Sequence, residues 1–200
     1  MLLLVLVPAP AAADQYVGGI PLGTVKEDTV SGGLWSDSYT DFANSAEKTF
    51  ALPAYTEIKW ARLYVSVYCA HMQNNYEHRA TVKFDGGSGI ETLGVEELRQ
   101  PYVFAIHGGS PVWVNDHCNR ITSDYLMWYD VTGRITARNP VAEVKVDQPE
   151  GYKGTFDGRI KLVTLVVAYD DGDGDEVYYW VNQGHDVHSY YVEGPFIPFR

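Results

Sequence analysis

Five acidic residues stand within a stretch of seven, between two predicted strands: Asp170, Asp171, Asp173, Asp175 and Glu176. Carboxylates this close repel one another unless a cation neutralises them, and Ca²⁺ prefers oxygen ligands. The EF-hand spacing fits only in part, because Glu176 occupies the position that needs glycine and Asn182 replaces the bidentate glutamate. The sequence therefore predicts a calcium site formed by these five residues, with a solvated acidic turn as the alternative.

Aromatic residues define a second candidate site, for carbohydrate. Trp60, Tyr64 and Tyr68 share the non-core face of one predicted strand, and Tyr178 and Trp180 share the corresponding face of another. A four-residue step along a strand spans roughly 13 Å, the scale of a short run of sugar units. The pattern predicts a platform on which sugar rings stack. The alternative is that these rings pack against neighbouring strands, a loop or an adjoining module.

Cys69 and Cys118 are the only cysteines. An exported chain with a single pair is expected to join them in a disulfide. Closing a loop of about 50 residues would contribute roughly 4 kcal/mol of stability. A zinc site that adds His71 and His117 is one alternative, although Cys-x-His and His-Cys do not match the usual spacings of structural zinc sites. Two free thiols are the other.

The six histidines do not form a recognisable catalytic pattern. His185 and His188 bracket Asp186, an arrangement compatible with a transition metal or an acid–base pair. Isolated histidines in polar loops usually serve neither purpose. The motifs of serine hydrolases, P-loop enzymes, zinc proteases and dinucleotide-binding enzymes are all missing from the sequence. We therefore expect no catalytic activity, with a polysaccharide-active enzyme as a third alternative.

Short alternating runs separated by turn residues predict an all-β fold. In the clearest strand, 58–69, the odd-numbered residues from Ala61 to Cys69 form the core face. The segment 160–169 is apolar on nearly both faces and predicts a central strand between two covered surfaces. The segment 176–182 alternates again. Weaker strands are predicted near 48–52, 81–84, 102–106 and 141–146.

Composition and the first residues bound the class of protein. The 200 residues, 46% of them hydrophobic, suffice for a single domain, and a formal charge of -11 disfavours nucleic-acid binding. Residues 1–13 read as a signal peptide, an apolar run that ends in three alanines and is too short to span a membrane. The lack of a basic residue before Lys26 predicts that the natural start lies upstream. We expect residues 14–200 to form a single β-sandwich outside the cell.

One turn refines the expected fold. In the segment 129–135, Asp130 and Thr132 are suited to cap a turn, while Val131 and Ile135 point inward. This segment resembles the Asp-Val-Thr corner of galactose-binding-like jelly rolls. The sequence is therefore expected to form a two-sheet antiparallel sandwich of the jelly-roll or galactose-binding-like type.

Six segments carry a wider resemblance: YVGGIPL (16–22), KWARLYV (59–65), VWVNDHCNR (112–120), TSDY (122–125), VAYDDGD (167–173) and YWVNQG (179–184). Across residues 14–195 the sequence resembles the archaeal surface-protein family Domain of Unknown Function 3344. The resemblance implies an exported β-sandwich that stands beside other modules in cell-surface proteins, and it implies no activity. The family pattern usually runs beyond Arg200, so further C-terminal strands are expected to be missing from this chain.

These observations predict a structural or adhesive module of the cell surface, stabilised by calcium and without catalytic activity. Its expected partners are cell-envelope components, glycans or neighbouring surface modules. The alternative is a carbohydrate-binding module that uses the aromatic sheet face.

Overall fold

The computed structural model describes residues 19–70, 76–100, 112–121 and 123–186. These residues form twelve strands and one short 3₁₀ helix, Thr132–Arg134, and no α-helix occurs among them. The strands are β1 (Gly19–Val30), β2 (Gly33–Tyr39), β3 (Ser45–Thr49), β4 (Glu57–Cys69), β5 (Tyr76–Asp85), β6 (Glu91–Gln100), β7 (Val112–Val114), β8 (Cys118–Ile121), β9 (Asp124–Asp130), β10 (Val141–Asp147), β11 (Gly158–Asp170) and β12 (Val177–Asp186).

The strands form three antiparallel sheets. One has six strands in the order β2-β11-β4-β9-β8-β7, and the second has four in the order β3-β10-β5-β6. The third is a ribbon of two strands, β1 and β12. The predicted all-β antiparallel sandwich is confirmed, while its assignment to the jelly-roll type stays a prediction.

The core lies between the six-stranded and four-stranded sheets. Alternation along β4 turns Leu63, Val65 and Val67 inward, and each is fully buried. Opposite them, Val82 and Phe84 of β5 are also fully buried. Burying a side chain of this kind stabilises the fold by roughly 1.5–3 kcal/mol, so this interface dominates the stability of the domain.

The ribbon covers part of the other face of the six-stranded sheet. Trp60 of β4 and Ala168 of β11 pack there against Val30 of β1 and Tyr179 of β12, all four buried. Farther along, Arg62 Nη1 donates a hydrogen bond to Gln183 Oε1 at 3.0 Å. The first half of β4 is therefore covered on both faces, and the molecule has three layers at this point.

The predicted turn after β9 is confirmed. The Thr132 backbone N–H donates to Asp130 Oδ1 at 2.9 Å, and Val131 and Ile135 are buried. The Thr132 hydroxyl oxygen also accepts the Ala61 backbone N–H at 2.9 Å, which ties this turn to β4.

Several strand predictions hold, and one is displaced. Strands 58–69, 160–169, 81–84 and 141–146 correspond to β4, β11, β5 and β10, and 176–182 corresponds to the start of β12. The segment predicted at 48–52 forms a strand only at 45–49, because Phe50 and Leu52 bond instead to the backbone of Pro140 and Arg138. The strand predicted at 102–106 and the signal peptide lie outside the described residues.

No helix among the described residues combines the length and apolar character needed to cross a membrane.

A substitution at Gly86 tests the packing at the end of the sandwich. Its carbonyl oxygen accepts the backbone N–H groups of Thr136 and Ala137 at 2.7 and 2.8 Å, and a methyl group at Gly86 would overlap the carbonyl oxygen of Arg134. We expect Gly86→Ala to lower the free energy of unfolding by about 1–3 kcal/mol in urea denaturation. Gly133→Ala is the control, since a methyl group there meets nothing within 4 Å. Equal stability of the two variants would contradict this packing.

Candidate functional site

The two cysteines lie too far apart to be joined. Cys118 is paired with Met127 of β9, which is paired with Val65 of β4, four residues before Cys69. Strand geometry then separates the cysteines by about 13 Å along the strands and about 10 Å across them. A disulfide requires α-carbons within about 7 Å. The predicted disulfide is therefore wrong, and both thiols are free and buried.

The same separation removes the zinc alternative, because Cys69 and Cys118 cannot reach one ion. His71 lies outside the described residues. Within the described part of the chain, no three metal-binding side chains are grouped so as to hold a metal ion.

Each thiol is held in its protonated form. Burial raises the pKa of Cys69 to about 12 and also raises that of Cys118. Cys69 Sγ lies 3.4 Å from both His78 Nδ1 and the Leu98 carbonyl oxygen. His78 is itself fully buried, which lowers its pKa, and its Nε2 accepts the Asp157 backbone N–H at 3.3 Å. This pair is a packed part of the core and offers no nucleophile.

The acidic turn between β11 and β12 is stabilised by its own backbone. Asp171 Oδ1 accepts the Asp173 N–H at 3.2 Å, and Asp173 Oδ1 accepts the Asp175 N–H at 2.9 Å. Asp170 Oδ1 accepts the Ser31 N–H at 2.9 Å. Asp175 and Glu176 are exposed. The carboxylates of Asp170, Asp171 and Asp173 thus each accept a bond from a different backbone amide, so a calcium ion would require them to turn toward a common centre. Calcium binding stays a prediction of the sequence.

The five aromatic residues do not form one surface. Trp60 is 7% exposed beneath the ribbon, with the Arg62 guanidinium 5.3 Å from its ring centre, and Tyr64 and Tyr68 are half-buried. Tyr178 and Trp180, on the face of the ribbon opposite to the buried Tyr179, are each 58% exposed. Their ring centres lie 6.1 Å apart, and the Tyr178 hydroxyl donates to Glu27 Oε2 at 2.8 Å.

The remaining histidines are separated. His185 Nδ1 lies 2.6 Å from Asn119 Oδ1, a contact between the ribbon and β8. His107 and His188 lie outside the described residues. Of the histidines that the structure describes, His117 lines a cleft. Sequence reasoning did not identify this cleft.

This cleft, which we call the edge cleft, opens where β9 extends beyond β8. The last backbone bond on that side joins the Trp128 N–H to the His117 carbonyl oxygen at 2.8 Å. Before β8 the chain turns away, because Asn115 Oδ1 accepts the backbone N–H groups of His117 and Cys118 at 2.9 and 2.5 Å. Tyr129 and Asp130 therefore lie at an open edge of the six-stranded sheet. Tyr129 faces β6 of the other sheet, and Asp130 lies on the opposite face of β9, beside Arg62 of β4.

The edge cleft has a volume of about 380 Å³. Its walls come from β4, β6, β9, the turn before β8 and the 3₁₀ helix. The lining residues are Arg62, Leu93, Asp116, His117, Trp128, Tyr129, Asp130 and Arg134.

His117 is held between two carboxylates. Its Nε2 lies 2.6 Å from Glu96 Oε1 and its Nδ1 lies 2.5 Å from Asp116 Oδ1. Both ring nitrogens then act as donors, which requires the imidazolium form. Burial by itself lowers the pKa of His117, but the hydrogen bonds to Glu96 and Asp116 outweigh it and raise the pKa above its usual value.

A tyrosine forms the base of the edge cleft. Tyr129 is 8% exposed, and its hydroxyl is buried without a hydrogen-bond partner among the described residues. Gly94 of β6 provides the space for it, since a methyl group there would lie 2.6 Å from the hydroxyl oxygen. Burial raises the pKa of Tyr129, so the phenol stays protonated.

Thiol labelling tests the cysteine geometry. We expect neither thiol of the native protein to react with iodoacetamide, because both are buried and protonated. Both should react once the chain is unfolded in urea, with no reductant present. Mass spectrometry counts the labelled thiols. A denatured, unreduced protein that takes up no label would restore the disulfide.

The ion pairs of His117 predict a pH dependence. A pKa raised in the folded state adds stability below about pH 6.5, and that stability is lost as the pH rises through the folded pKa. We expect NMR titration to place the His117 pKa above its ordinary value and Glu96→Gln to lower it. Asp116→Asn should lower it less, because the Asp116 side chain is 89% exposed against 14% for Glu96. An unchanged pKa in Glu96→Gln would rule out the pairing.

Comparison with known proteins gives one family. Residues 15–197 match the family model described as "Protein of unknown function (DUF3344)". Among solved structures, a chain of Desmodium yellow mottle tymovirus is similar, at 7% identity, 88% coverage of this chain and 98% of that chain, and a TM-score of 0.33. A score this low carries no argument. No curated protein matches the sequence significantly.

Proposed function

This chain belongs to the DUF3344 family of proteins of unknown function, and we propose that it works as a structural or adhesive module of the cell surface. Two features of the sequence support a location outside the cell. The first residues read as a signal peptide, and the net charge of -11 suits a soluble surface exposed to solvent. The proposed partners are neighbouring surface modules or other components of the cell envelope.

The distribution of exposed apolar side chains carries this proposal. Five of the nine large hydrophobic side chains that are exposed among the described residues lie on the ribbon of β1 and β12. Exposed apolar surface concentrated on one element is typical of a contact site. The five are Leu22, Val25, Val177, Tyr178 and Trp180.

The proposal includes the absence of catalysis. Hydrogen bonds to two carboxylates occupy both ring nitrogens of His117, so this residue offers no free base. Both thiols are protonated at neutral pH. These states support a binding or structural role.

Calcium is the stabilising cation of this proposal. Its support is the density of carboxylates in the turn that leads into β12 of the ribbon. Measuring the metal content of the purified protein, with and without a chelator, tests directly whether calcium is bound.

Carbohydrate binding is the second candidate function. It is favoured by the two exposed rings of Tyr178 and Trp180, which stand side by side on the ribbon. Rings of this kind present an apolar face to the C–H groups of a sugar and a polar edge to its hydroxyls. Trp60, Tyr64 and Tyr68 do not belong to this surface.

Trp180→Ala tests whether the ribbon makes the proposed contact. Because Trp180 is exposed, the free energy of unfolding should change by no more than about 0.5 kcal/mol, while binding to purified cell-envelope fragments of the source organism should fall at least tenfold. Phe42→Ala is the matched control, since Phe42 is 66% exposed and lies outside the ribbon. Surface plasmon resonance measures the binding, and undiminished binding of Trp180→Ala would refute a role of the ribbon.

A further inference from the structure

The edge cleft has the size of a small-molecule site. Its volume of about 380 Å³ falls at the lower end of the range of about 300–1,000 Å³ found for ligand pockets. It lies between the ends of two sheets. On the side of β9 that faces β8, no described strand pairs with β9 beyond the bond between Trp128 and His117.

Charges in and around the edge cleft nearly balance. Three cationic side chains face it, and four carboxylates lie on its walls or pair directly with its cations. The cations are Arg62, Arg134 and His117, and the carboxylates are Asp116, Asp130, Glu96 and Glu91. An anionic ligand would meet Asp116 and Asp130, and a cationic one would meet the arginines. This near balance of charge favours a neutral ligand.

The polar groups that remain available suit hydroxyls. Asp130 uses Oδ1 to accept the Thr132 N–H, which leaves its second carboxylate oxygen. Arg62 donates to Gln183 through Nη1, and its guanidinium carries further N–H donors. A hydroxyl both donates and accepts, so it can bond to a carboxylate and a guanidinium together.

An aromatic wall completes the arrangement. Trp128 is half-buried and shares one face of β9 with Asp130, whereas Tyr129 lies on the opposite face. A sugar ring carries an apolar C–H face as well as hydroxyls, and a tryptophan beside charged hydrogen-bonding groups matches both.

We infer that the edge cleft binds a neutral sugar unit, whose hydroxyls bond to Asp130 and Arg62 while its ring contacts Trp128. This inference rests on the carbohydrate-binding candidate and assigns it a second site, apart from the ribbon. Because the bonded groups come from neighbouring strands of one sheet, the site needs no large rearrangement to receive the sugar.

An amide NMR titration of the full chain tests this site. The probes are the methyl glycosides of glucose, galactose, mannose and N-acetylglucosamine, with sodium sulfate as the anionic probe. We expect at least one glycoside to shift the amides of residues 115–118 and 128–134, and sulfate to leave them unchanged. Asp130→Asn should weaken that glycoside at least tenfold, while Asp175→Asn, the same change on the exposed acidic turn, should not.

The two carbohydrate sites have separate outcomes. If glycoside binding is lost in Trp180→Ala and kept in Asp130→Asn, the ribbon binds sugar and the edge-cleft inference is wrong. If sulfate alone shifts the edge-cleft amides, the cleft is an anion site and the inference is also wrong. If no glycoside shifts any amide, both carbohydrate hypotheses fail. The proposed structural or adhesive role is then tested by the binding of Trp180→Ala to cell-envelope fragments.

Discussion

The antiparallel pairing of β4 with β11 is the interaction on which the other elements depend. Each strand has thirteen residues, and their register runs from Gly158 opposite Cys69 to Asp170 opposite Glu57. One face of this pair packs against the four-stranded sheet, and part of the other lies under the ribbon. β2 and β9 then add to its two sides, and β9 brings Trp128 and Asp130 to the edge cleft. Both proposed contact surfaces are thus positioned by this pair of strands.

Sequence reasoning succeeded where burial follows a simple period. Alternation along β4 identified its core residues, and the side-chain bonding of Asp130 and Thr132 identified the turn. It did not identify β1, β2, β6, β7 or β8, and of β9 it predicted only the turn that follows. β1 and β6 lie mostly exposed, β2 alternates with small polar residues, and β7 and β8 have only three and four residues. Backbone pairing forms these strands, and a hydrophobic pattern does not record backbone pairing.

The disulfide prediction was wrong, and the five aromatic residues do not share one surface, for a related reason. Both assumed that residue type and chain spacing decide which side chains meet, whereas strand order and register decide it. Two strand spacings and a four-residue offset separate Cys69 from Cys118. The ribbon covers Trp60 and turns Trp180 outward. The edge cleft escaped prediction because its lining comes from five separate segments, and only the adjacent pair Asp116 and His117 gave a local signal.

The overall charge of the protein bears on what the edge cleft can select. A net charge of -11 repels anions at long range, yet the cations of this cleft attract them at short range. Two of those cations are already engaged, because Arg134 pairs with Glu91 and His117 with Glu96 and Asp116. An anion bound at Arg134 or His117 would therefore have to displace internal ion pairs after overcoming the general repulsion. A neutral sugar faces neither cost, since its hydroxyls add bonds to groups such as Asp130 without breaking the pairs that hold the cleft together.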